Sequence, residues 1–248
     1  YSEYRYLERN LSMGLIDIHT HILYGVDDGA KSIGDSMGIL DEEREQGVDQ
    51  IILTPHYGPK FGHPDASMLK ERYIELCERA RQYYPEIQLY LGSELYYQQE
   101  TVSDLNKGKA LTMNGTRYVL VEFNVTDSYS YICRAMQDLC YAGYIPIIAH
   151  AERYEAVFGH VKRVEELMNM GAYIQLNAES LVGGLFNKKA SFCKKLIKED
   201  FMHFLGSDCH DLRNRRPNMK PAAQVLIKKN AEHILGSNPR NMLEGKSI

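Results

Sequence analysis

The stretch LIDIHTH, from Leu15 to His21, is a short apolar run that ends in two histidines with one residue between them. A run of this length and composition favours a strand that is covered on both faces in a parallel sheet. Because side chains alternate along a strand, His19 and His21 are predicted to point to the same side. In parallel barrels the working groups lie at the carboxyl ends of the strands, so the stretch predicts both a strand and the edge of a site.

Six further runs of this kind follow, at a spacing of roughly 30 residues that matches one βα unit. They are Gln50–Thr54, Ile87–Leu91, Arg117–Phe123, Ile145–Ala149, Ala172–Asn177 and Phe201–Gly206. Stretches of helical periodicity or composition lie between them, namely Ser32–Gln46, Met68–Tyr84, Tyr129–Ala142, Val161–Met170 and Lys188–Asp200. Seven strands alternating with helices predict an α/β fold with a closed or nearly closed parallel barrel, and a doubly wound sheet is the alternative.

The composition is that of a globular protein of 248 residues, 44% apolar and 25% charged, with a formal net charge of −4. These values exclude a disordered chain and a disulfide-stapled mini-protein. The charge argues against nucleic acid as a partner, and no apolar run approaches the ~20 residues of a membrane span. The five cysteines form no C-x-x-C pair and fit reduced thiols. We therefore expect a soluble, cytoplasmic protein, and the pattern sets no oligomeric state.

Ionisable side chains accompany six of the seven predicted strands. They are His19, His21, Asp27 and Asp28 with the first, His56 with the second, Glu94 with the third, Glu122 with the fourth, His150 with the fifth, and Asp208 and His210 with the seventh. A buried carboxylate between apolar neighbours, as at Glu122, is costly unless it is neutralised or coordinated. The His-x-His and Asp-x-His pairs lie at opposite ends of the chain and meet if the barrel closes. The set therefore predicts a metal centre.

Imidazole and carboxylate donors without a thiolate suit Mn²⁺, Fe²⁺ or Zn²⁺. The donors exceed the needs of one ion and fit two or three ions that share carboxylates. Such sites activate water and clamp the oxygens of an in-line displacement, most often at phosphorus. Two arginines beside the cluster, Arg153 and Arg215, have planar guanidinium groups suited to gripping phosphate oxygens.

A competing pattern is C-x5-R from Cys209 to Arg215, the outline of a cysteine-dependent phosphatase loop. Such a loop wraps phosphate with successive backbone N–H groups and normally contains glycines. The interior of this stretch has no glycine, and His210 is already a candidate ligand. The sequence therefore favours the metal centre over a nucleophilic cysteine.

The motifs IDIHTH with VDDG, TPH, GSE, VEF, AHAERY and SDxH, in this order, resemble the PHP (polymerase and histidinol phosphatase) superfamily. Within it they are most similar to the bacterial capsular and exopolysaccharide tyrosine-protein phosphatases. The resemblance runs from Met13 to about Met219. It implies a distorted, TIM-like (β/α)7 barrel with three metal ions, manganese being preferred and iron, zinc or magnesium being the alternatives.

Carried over by motif, the resemblance assigns nine metal ligands and two substrate arginines. One ion would be held by His19, His21, Glu94 and Asp208, a second by Glu94, Glu122 and His150, and a third by His56, His210 and Asp28, which aligns in place of Asp27. Arg153 and Arg215 match the arginines that hold the substrate phosphate. The chain departs from the pattern at Asp211, where Asn is frequent, and at Arg216, which precedes a single proline.

The activity that the resemblance implies is hydrolysis of phosphotyrosine by attack of a metal-bridging hydroxide. The implied substrate is the tyrosine-rich tail of a bacterial tyrosine kinase that controls capsular or exopolysaccharide synthesis. A PHP phosphatase of a small phosphomonoester, such as histidinol phosphate, is the alternative enzyme. A catalytically silent metal-binding module is the alternative outside the enzymes.

Residues 1–12 are polar and precede Met13. We expect them to be a flexible N-terminal extension or a cloning remnant, followed by a single PHP phosphatase domain over residues 13–248. Tyr1, Tyr4 and Tyr6 form a cluster similar to the substrate tail that the resemblance implies. The alternative to a passive extension is therefore an arm that enters the active site of a neighbouring molecule.

Overall fold

Parallel strands build the sheet of this protein, for which the computed structural model describes residues 14–184 and 186–248. The strands are β1 (Leu15–Thr20), β2 (Val48–Leu53), β3 (His56–Tyr57), β4 (Gln88–Leu91), β5 (Glu94–Tyr96), β6 (Tyr118–Glu122), β7 (Ile145–Ile148), β8 (Tyr173–Asn177) and β9 (Phe204–Gly206). All pairs of neighbouring strands are parallel. The predicted extension at residues 1–12, with its three tyrosines, lies outside the described residues.

The helices lie between the strands and after the last one. They are α1 (Ile33–Glu45), α2 (Ala66–Tyr83), α3 (Thr101–Asn106), α4 (Tyr129–Tyr141), α5 (Val161–Asn169), α6 (Ala178–Leu181), α7 (Lys188–Lys198), α8 (Met219–Ile227) and α9 (Ser237–Leu243). The five predicted helices correspond to α1, α2, α4, α5 and α7, whereas the other four were not predicted. Within the described ranges, no helix combines the length and apolarity needed to cross a membrane.

Nine strand segments make seven strand positions, because the second and third predicted strands each continue, after a short gap, in a second segment that was not predicted. The ladders run β1-β2-β4 and β3-β5-β6-β7-β8-β9. β3 continues β2 beyond Pro55, and β5 continues β4 beyond Gly92 and Ser93. The backbone N–H of Gly92 donates to Leu53 O (2.8 Å) and that of Glu94 donates to Pro55 O (3.0 Å), so the pairing persists across both gaps.

The barrel closes between its first and last strands. The backbone N–H of Asp208 donates to His19 O (2.7 Å), and that of His21 donates to Cys209 O (2.9 Å). A parallel bridge joins Thr20 to Cys209. The predicted distorted (β/α)7, TIM-like barrel is thereby confirmed, and a doubly wound open sheet is excluded.

Two buried apolar clusters hold the barrel together. The smaller one joins Ile18 of β1, Leu120 of β6 and Phe204 of β9. Because β1 and β6 are not neighbours in the ladders, this cluster fills the interior of the barrel, and Met242 of α9 belongs to it as well. The larger cluster packs the helices against the outside of the strands. The apolar interior leaves the carboxyl ends of the strands as the place for polar groups.

Candidate metal centre

All nine predicted metal ligands meet at the carboxyl ends of the strands. Five are imidazoles and four are carboxylates: His19, His21, His56, His150, His210, Asp28, Glu94, Glu122 and Asp208. All of them are buried except Asp28, which is exposed, and Glu122, which is partly buried. The structure therefore brings together side chains that are separated by nearly two hundred residues in the chain.

Glu94 stands at the centre of the cluster. Its Oε2 lies 3.2 Å from Nε2 of both His19 and His21 and 3.0 Å from Nδ1 of His56. Its Oε1 lies 2.8 Å from Nε2 of His150. One carboxylate thus faces four imidazoles, the geometry expected of a group shared between ions.

The remaining carboxylates extend the cluster on two sides. Asp28 Oδ1 lies 3.4 Å from His56 Nε2 and 3.3 Å from His210 Nε2. Glu122 Oε1 lies 3.0 Å from His56 Nδ1. Three overlapping groups of donor atoms, each within 4.8 Å of one another, follow from these positions: His21, Asp28, His56 and His210; His19, His21 and Glu94; and His56, Glu94 and Glu122.

The donor atoms fit divalent cations. Glu94 Oε2 and His56 Nδ1 are buried without a hydrogen-bond partner, and the Nε2 atoms of His19 and His21 face each other at 3.2 Å. Converging acceptors of this kind are costly unless a cation satisfies them. The other ring nitrogen of His19, Nδ1, faces away from the cluster and donates to Gln175 Oε1 (3.1 Å). Such second contacts direct the Nε2 lone pair into the centre.

The electrostatics of the cluster also demand positive charge. Burial lowers the pKa of His21, but Asp27 and Asp208 outweigh it and raise that pKa to about 10. Burial likewise lowers the pKa of His56, and Glu94 together with other carboxylates raises it to about 12. Burial opposes ionisation of Glu94, yet the imidazoles hold its pKa well below the usual range. Glu94 is therefore ionised at neutral pH, and protons or divalent cations must compensate its charge.

Both predicted arginines lie beside the centre. Arg153 Nη1 lies 2.8 Å from Asp208 Oδ2, and Arg215 Nη2 lies 2.6 Å from Asp208 Oδ1. Arg215 Nη1 also donates to His210 Nε2 at 2.7 Å. The two guanidinium groups line a cavity of about 260 Å³ together with His56, Glu122 and other residues of the centre. Positive side chains and candidate metal ligands thus share one opening.

Two strand-end residues adopt unusual backbone conformations. His150 has φ of 33° and Asp208 has φ of 54°, both in the left-handed region. Non-glycine residues rarely adopt this region, and such strain concentrates at functional sites. Each residue lies two positions beyond the end of its strand, β7 for His150 and β9 for Asp208, and the turn of the backbone there aims its side chain into the centre.

β8 carries no predicted ligand, yet this strand orders the centre. Gln175 Oε1 accepts from His19 Nδ1 and from the backbone N–H of His150 (2.8 Å). Asn177 Nδ2 donates to Asp208 Oδ2 at 2.8 Å. Both amides are fully buried. The signal in the sequence was a glutamine inside an apolar strand, because a buried amide requires partners.

Asp27 and Tyr154 have similar supporting positions. Asp27 Oδ2 accepts from Nδ1 of His21 (2.8 Å) and from the backbone N–H of His56 (3.0 Å). The Tyr154 hydroxyl lies 3.1 Å from His150 Nδ1 and accepts from the backbone N–H of Phe123. Asp27 therefore holds two histidines, while its neighbour Asp28 faces the ligand nitrogens.

Cys209 is unsuited to act as a nucleophile. It is fully buried, and its thiol faces Glu43 Oε1 at 3.6 Å. Burial and the neighbouring carboxyls of Glu43 and Asp17 raise the pKa of this thiol well above its usual range. A cysteine phosphatase needs an accessible thiolate, so the C-x5-R interpretation is excluded.

A pair of buried carboxyls lies behind the centre. Asp17 Oδ1 accepts from the backbone N–H groups of His19 (3.1 Å) and Ser207 (2.9 Å), and Asp17 contacts Glu43 of α1. Burial raises the pKa of both carboxyls, and the charge of Asp17 raises that of Glu43 further. Since Asp17 accepts two backbone hydrogen bonds, Glu43 is the member that keeps the proton.

Replacing Glu43 by glutamine is expected to flatten the pH dependence of stability. A carboxyl whose pKa is raised by folding binds a proton that the unfolded chain has lost, so the native state loses stability as pH rises above about 4.3. Glutamine removes this loss and still donates to Asp17. Urea unfolding measures this effect. Between pH 5 and pH 8, the free energy of unfolding of Glu43→Gln should rise relative to that of the wild type by at least about 1 kcal/mol.

The control for this measurement is Glu45→Gln, at an exposed position of the same helix. It should follow the wild-type curve. Parallel curves for Glu43→Gln and the wild type would show that Glu43 is ionised in the folded protein.

A closed parallel barrel with histidines and carboxylates at the carboxyl ends of its strands defines a metallohydrolase of the TIM-like class. The chain belongs to the family "Capsular polysaccharide synthesis, CpsB/CapC", whose model matches residues 15–244. The resemblance to PHP-type capsular phosphatases is thereby confirmed.

Known proteins place the chain within this family. It is 34% identical over 243 residues to the tyrosine-protein phosphatase CpsB of Streptococcus pneumoniae, covering 94% of this chain and 100% of that protein. The fold also matches a solved structure from a study of YwqE of Bacillus subtilis and CpsB of Streptococcus pneumoniae, which are described as unique metal-dependent tyrosine phosphatases. The TM-score is 0.87 and the sequence identity 30%, and the match covers 94% of this chain and 96% of that one.

The fold extends to more distant proteins. The histidinol phosphate phosphatase of Lactococcus lactis matches with a TM-score of 0.52 over 87% of this chain and 94% of that one. Its identity is 16%, so this likeness concerns the fold alone.

Proposed function

We propose that this protein is a metal-dependent protein-tyrosine phosphatase whose centre binds three divalent cations, manganese in preference to iron, zinc or magnesium. The observation that carries the proposal is the cavity into which the two arginines and the histidine–carboxylate cluster both open. Cations neutralise the oxygens of a phosphoryl group, and planar guanidinium groups bind those oxygens in pairs. The family relatives that are named tyrosine-protein phosphatases support the same activity.

The ligand sets of the proposal are those that the family resemblance implies, and they overlap the three groups of donors without matching them one to one. His19, His21, Glu94 and Asp208 would hold one ion, Glu94, Glu122 and His150 a second, and Asp28, His56 and His210 the third. In the structure His56 lies with Glu94 and Glu122 as well, and His150 joins that group through Glu94 Oε1 (2.8 Å). Bound cations would supply a nucleophile at neutral pH and stabilise the charge of the transition state. The mixture of oxygen and imidazole nitrogen donors, with no thiolate, supports manganese over softer metals.

The chain's own residues bind and orient the substrate. Arg153 and Arg215 hold the phosphoryl oxygens, and Asp208 keeps the two guanidinium groups in place from both of its oxygens. Tyrosine leaves as a phenolate with a pKa of about 10. A leaving group of this kind needs no strong general acid. This agrees with the cluster, in which each buried acid has a role as a metal ligand or as a support of a ligand.

Replacing Arg153 or Arg215 by lysine is expected to lower kcat by about 10²-fold, with bound metal unchanged. Lysine keeps the charge but loses the planar pair of donors. Steady-state kinetics on a phosphotyrosyl peptide, together with metal analysis, measures the effect. The matched control is Arg213→Lys, because Arg213 is exposed two residues from Arg215. Full activity in both lysine variants would show that the two arginines do not bind the phosphoryl group of the substrate.

The substrate is a phosphotyrosyl protein. We propose that it is the tail of a bacterial tyrosine kinase that controls capsular or exopolysaccharide synthesis, and that the phosphatase acts on it in the cytoplasm. The family's description as capsular polysaccharide synthesis proteins supports this assignment. Hydrolysis of histidinol phosphate is the less favoured alternative, because only the fold links this chain to the histidinol phosphatase.

A substrate comparison tests the proposed activity. The manganese-loaded protein should hydrolyse a phosphotyrosyl peptide with a kcat/KM at least about 10²-fold above that for histidinol phosphate, since the phenolate leaves more readily than an alkoxide. Metal analysis of the same sample should give three ions per chain. A preference for histidinol phosphate would overturn the assignment, and bound metal with no hydrolysis of either substrate would favour a silent binding module.

A further inference from the structure

A tight turn, Gly58 to Gly62, stands at the mouth of the cavity. Backbone N–H groups of Phe61 (3.0 Å) and His63 (3.4 Å) both donate to Gly58 O, which closes the turn on itself. Gly58 packs directly on the side chain of Tyr96, where an added Cβ would come within 2.6 Å of Tyr96 Cβ. The missing side chain at Gly58 therefore seats the turn, and with it Phe61, against the cavity.

Phe61 forms an aromatic wall above the centre. Its ring is stacked on that of His56, with 3.9 Å between the ring centroids and 8° between the planes. The ring is half-buried, and it lines the cavity together with Tyr96 and Val125. The Lys60 ammonium lies 5.0 Å from the centre of the Phe61 ring and adds positive charge at the mouth.

The cavity has ionisable side chains at its floor, and Phe61, Tyr96 and Val125 form one apolar wall above it, beside the exposed Lys60 and Asn124 of the rim. His56 and His150 at the floor are 6% and 5% exposed, whereas Val125 is 49% exposed. Phe61 and Tyr96 lie between these extremes. A phosphoryl group at the floor places the next atoms of its ester beside the apolar wall. An aryl ring would cover that wall, whereas an alkyl phosphate of serine would have to bring its peptide backbone down to the floor.

We infer that Phe61, supported by Tyr96 and Val125, is the specificity-determining residue that selects aryl phosphates by contact with the tyrosyl ring. The inference rests on the proposed phosphatase activity and adds to it the structure that recognises the leaving group. Aromatic rings in contact gain free energy beyond the burial of their area. Phe61 contacts the ring of the substrate and takes no part in holding the phosphoryl group.

The test compares Phe61→Ala with Phe61→Tyr in the manganese-loaded protein. Phe61→Ala should raise KM for a phosphotyrosyl peptide about 10-fold, with kcat within about twofold of the wild type. The inhibition constant of phenylphosphonate should rise by the same factor, while that of methylphosphonate stays unchanged. Phe61→Tyr keeps the ring and should restore both constants.

The controls separate recognition of the ring from support of His56. Tyr141→Ala removes an aromatic side chain that is 97% exposed, and it should leave all the constants unchanged. Metal content is measured for each variant. Equal weakening of phenylphosphonate and methylphosphonate, or loss of metal in Phe61→Ala, would overturn the inference and leave Phe61 as a support of His56.

The two levels of the proposal fail in different ways. A wild-type protein that hydrolyses no phosphotyrosine would overturn both the proposed function and this inference. A wild-type protein that hydrolyses it, with unaltered constants for Phe61→Ala, would overturn the inference alone.

Discussion

Removal of metal by a chelator is expected to reduce phosphotyrosine hydrolysis by more than about 10³-fold, and restored manganese is expected to return it. The physical reason is the density of acceptors at the centre, where Glu94 alone faces four imidazoles. Without cations, nothing stabilises the phosphoryl oxygens beyond the two arginines. The measurement is a phosphotyrosyl-peptide assay after stripping, with each divalent cation restored in turn.

The matching control is Cys209→Ser. Because the thiol is buried against Glu43, the serine variant should keep most of its metal-dependent activity. Activity that survives chelation and disappears in Cys209→Ser would contradict the metal mechanism and return the C-x5-R loop to consideration.

Replacing Glu94 by glutamine is expected to lower kcat/KM by more than about 10³-fold and to reduce bound metal. The amide has nearly the same shape as the carboxylate but no charge, and its NH₂ group would point a donor at ring nitrogens or cations. Kinetics with a phosphotyrosyl peptide and metal analysis by mass spectrometry measure the two effects together.

The control for this variant is Glu78→Gln, an exposed position on α2. It should keep wild-type kinetics and metal content. If Glu94→Gln keeps more than about a tenth of the wild-type kcat/KM, Glu94 is not a ligand shared between ions.

The sequence predicted the barrel because its strands are apolar throughout and recur at the spacing of a βα unit. The second and third strands were predicted to end at Thr54 and Leu91, and their continuation as β3 and β5 was not predicted. Pro55 has no N–H to donate, and the chain passes through Gly92 and Ser93 before pairing resumes at Glu94. Local composition marks both places as strand ends, and it does not show that pairing resumes beyond them, since the partner strand decides where the ladder continues.

The candidate ligands were predictable because histidines and acids at strand ends stand out against apolar runs. Their supports were harder to recognise. Gln175, Asn177 and Tyr154 are ordinary polar residues in sequence, and only their burial beside His19, His150 and Asp208 gives them a role. The distinction between Asp27 and Asp28 came from the resemblance, because adjacent acids in a loop have no periodicity to separate them.

The closure of the barrel between β1 and β9 has a consequence during synthesis. His19 emerges early from the ribosome and His210 late, and the hydrogen bonds that join their strands cannot form until nearly the whole chain has been made. A truncated or partly translated chain therefore carries most of the ligands and has no assembled centre. Phosphatase activity therefore requires that β9 has been made and has joined β1.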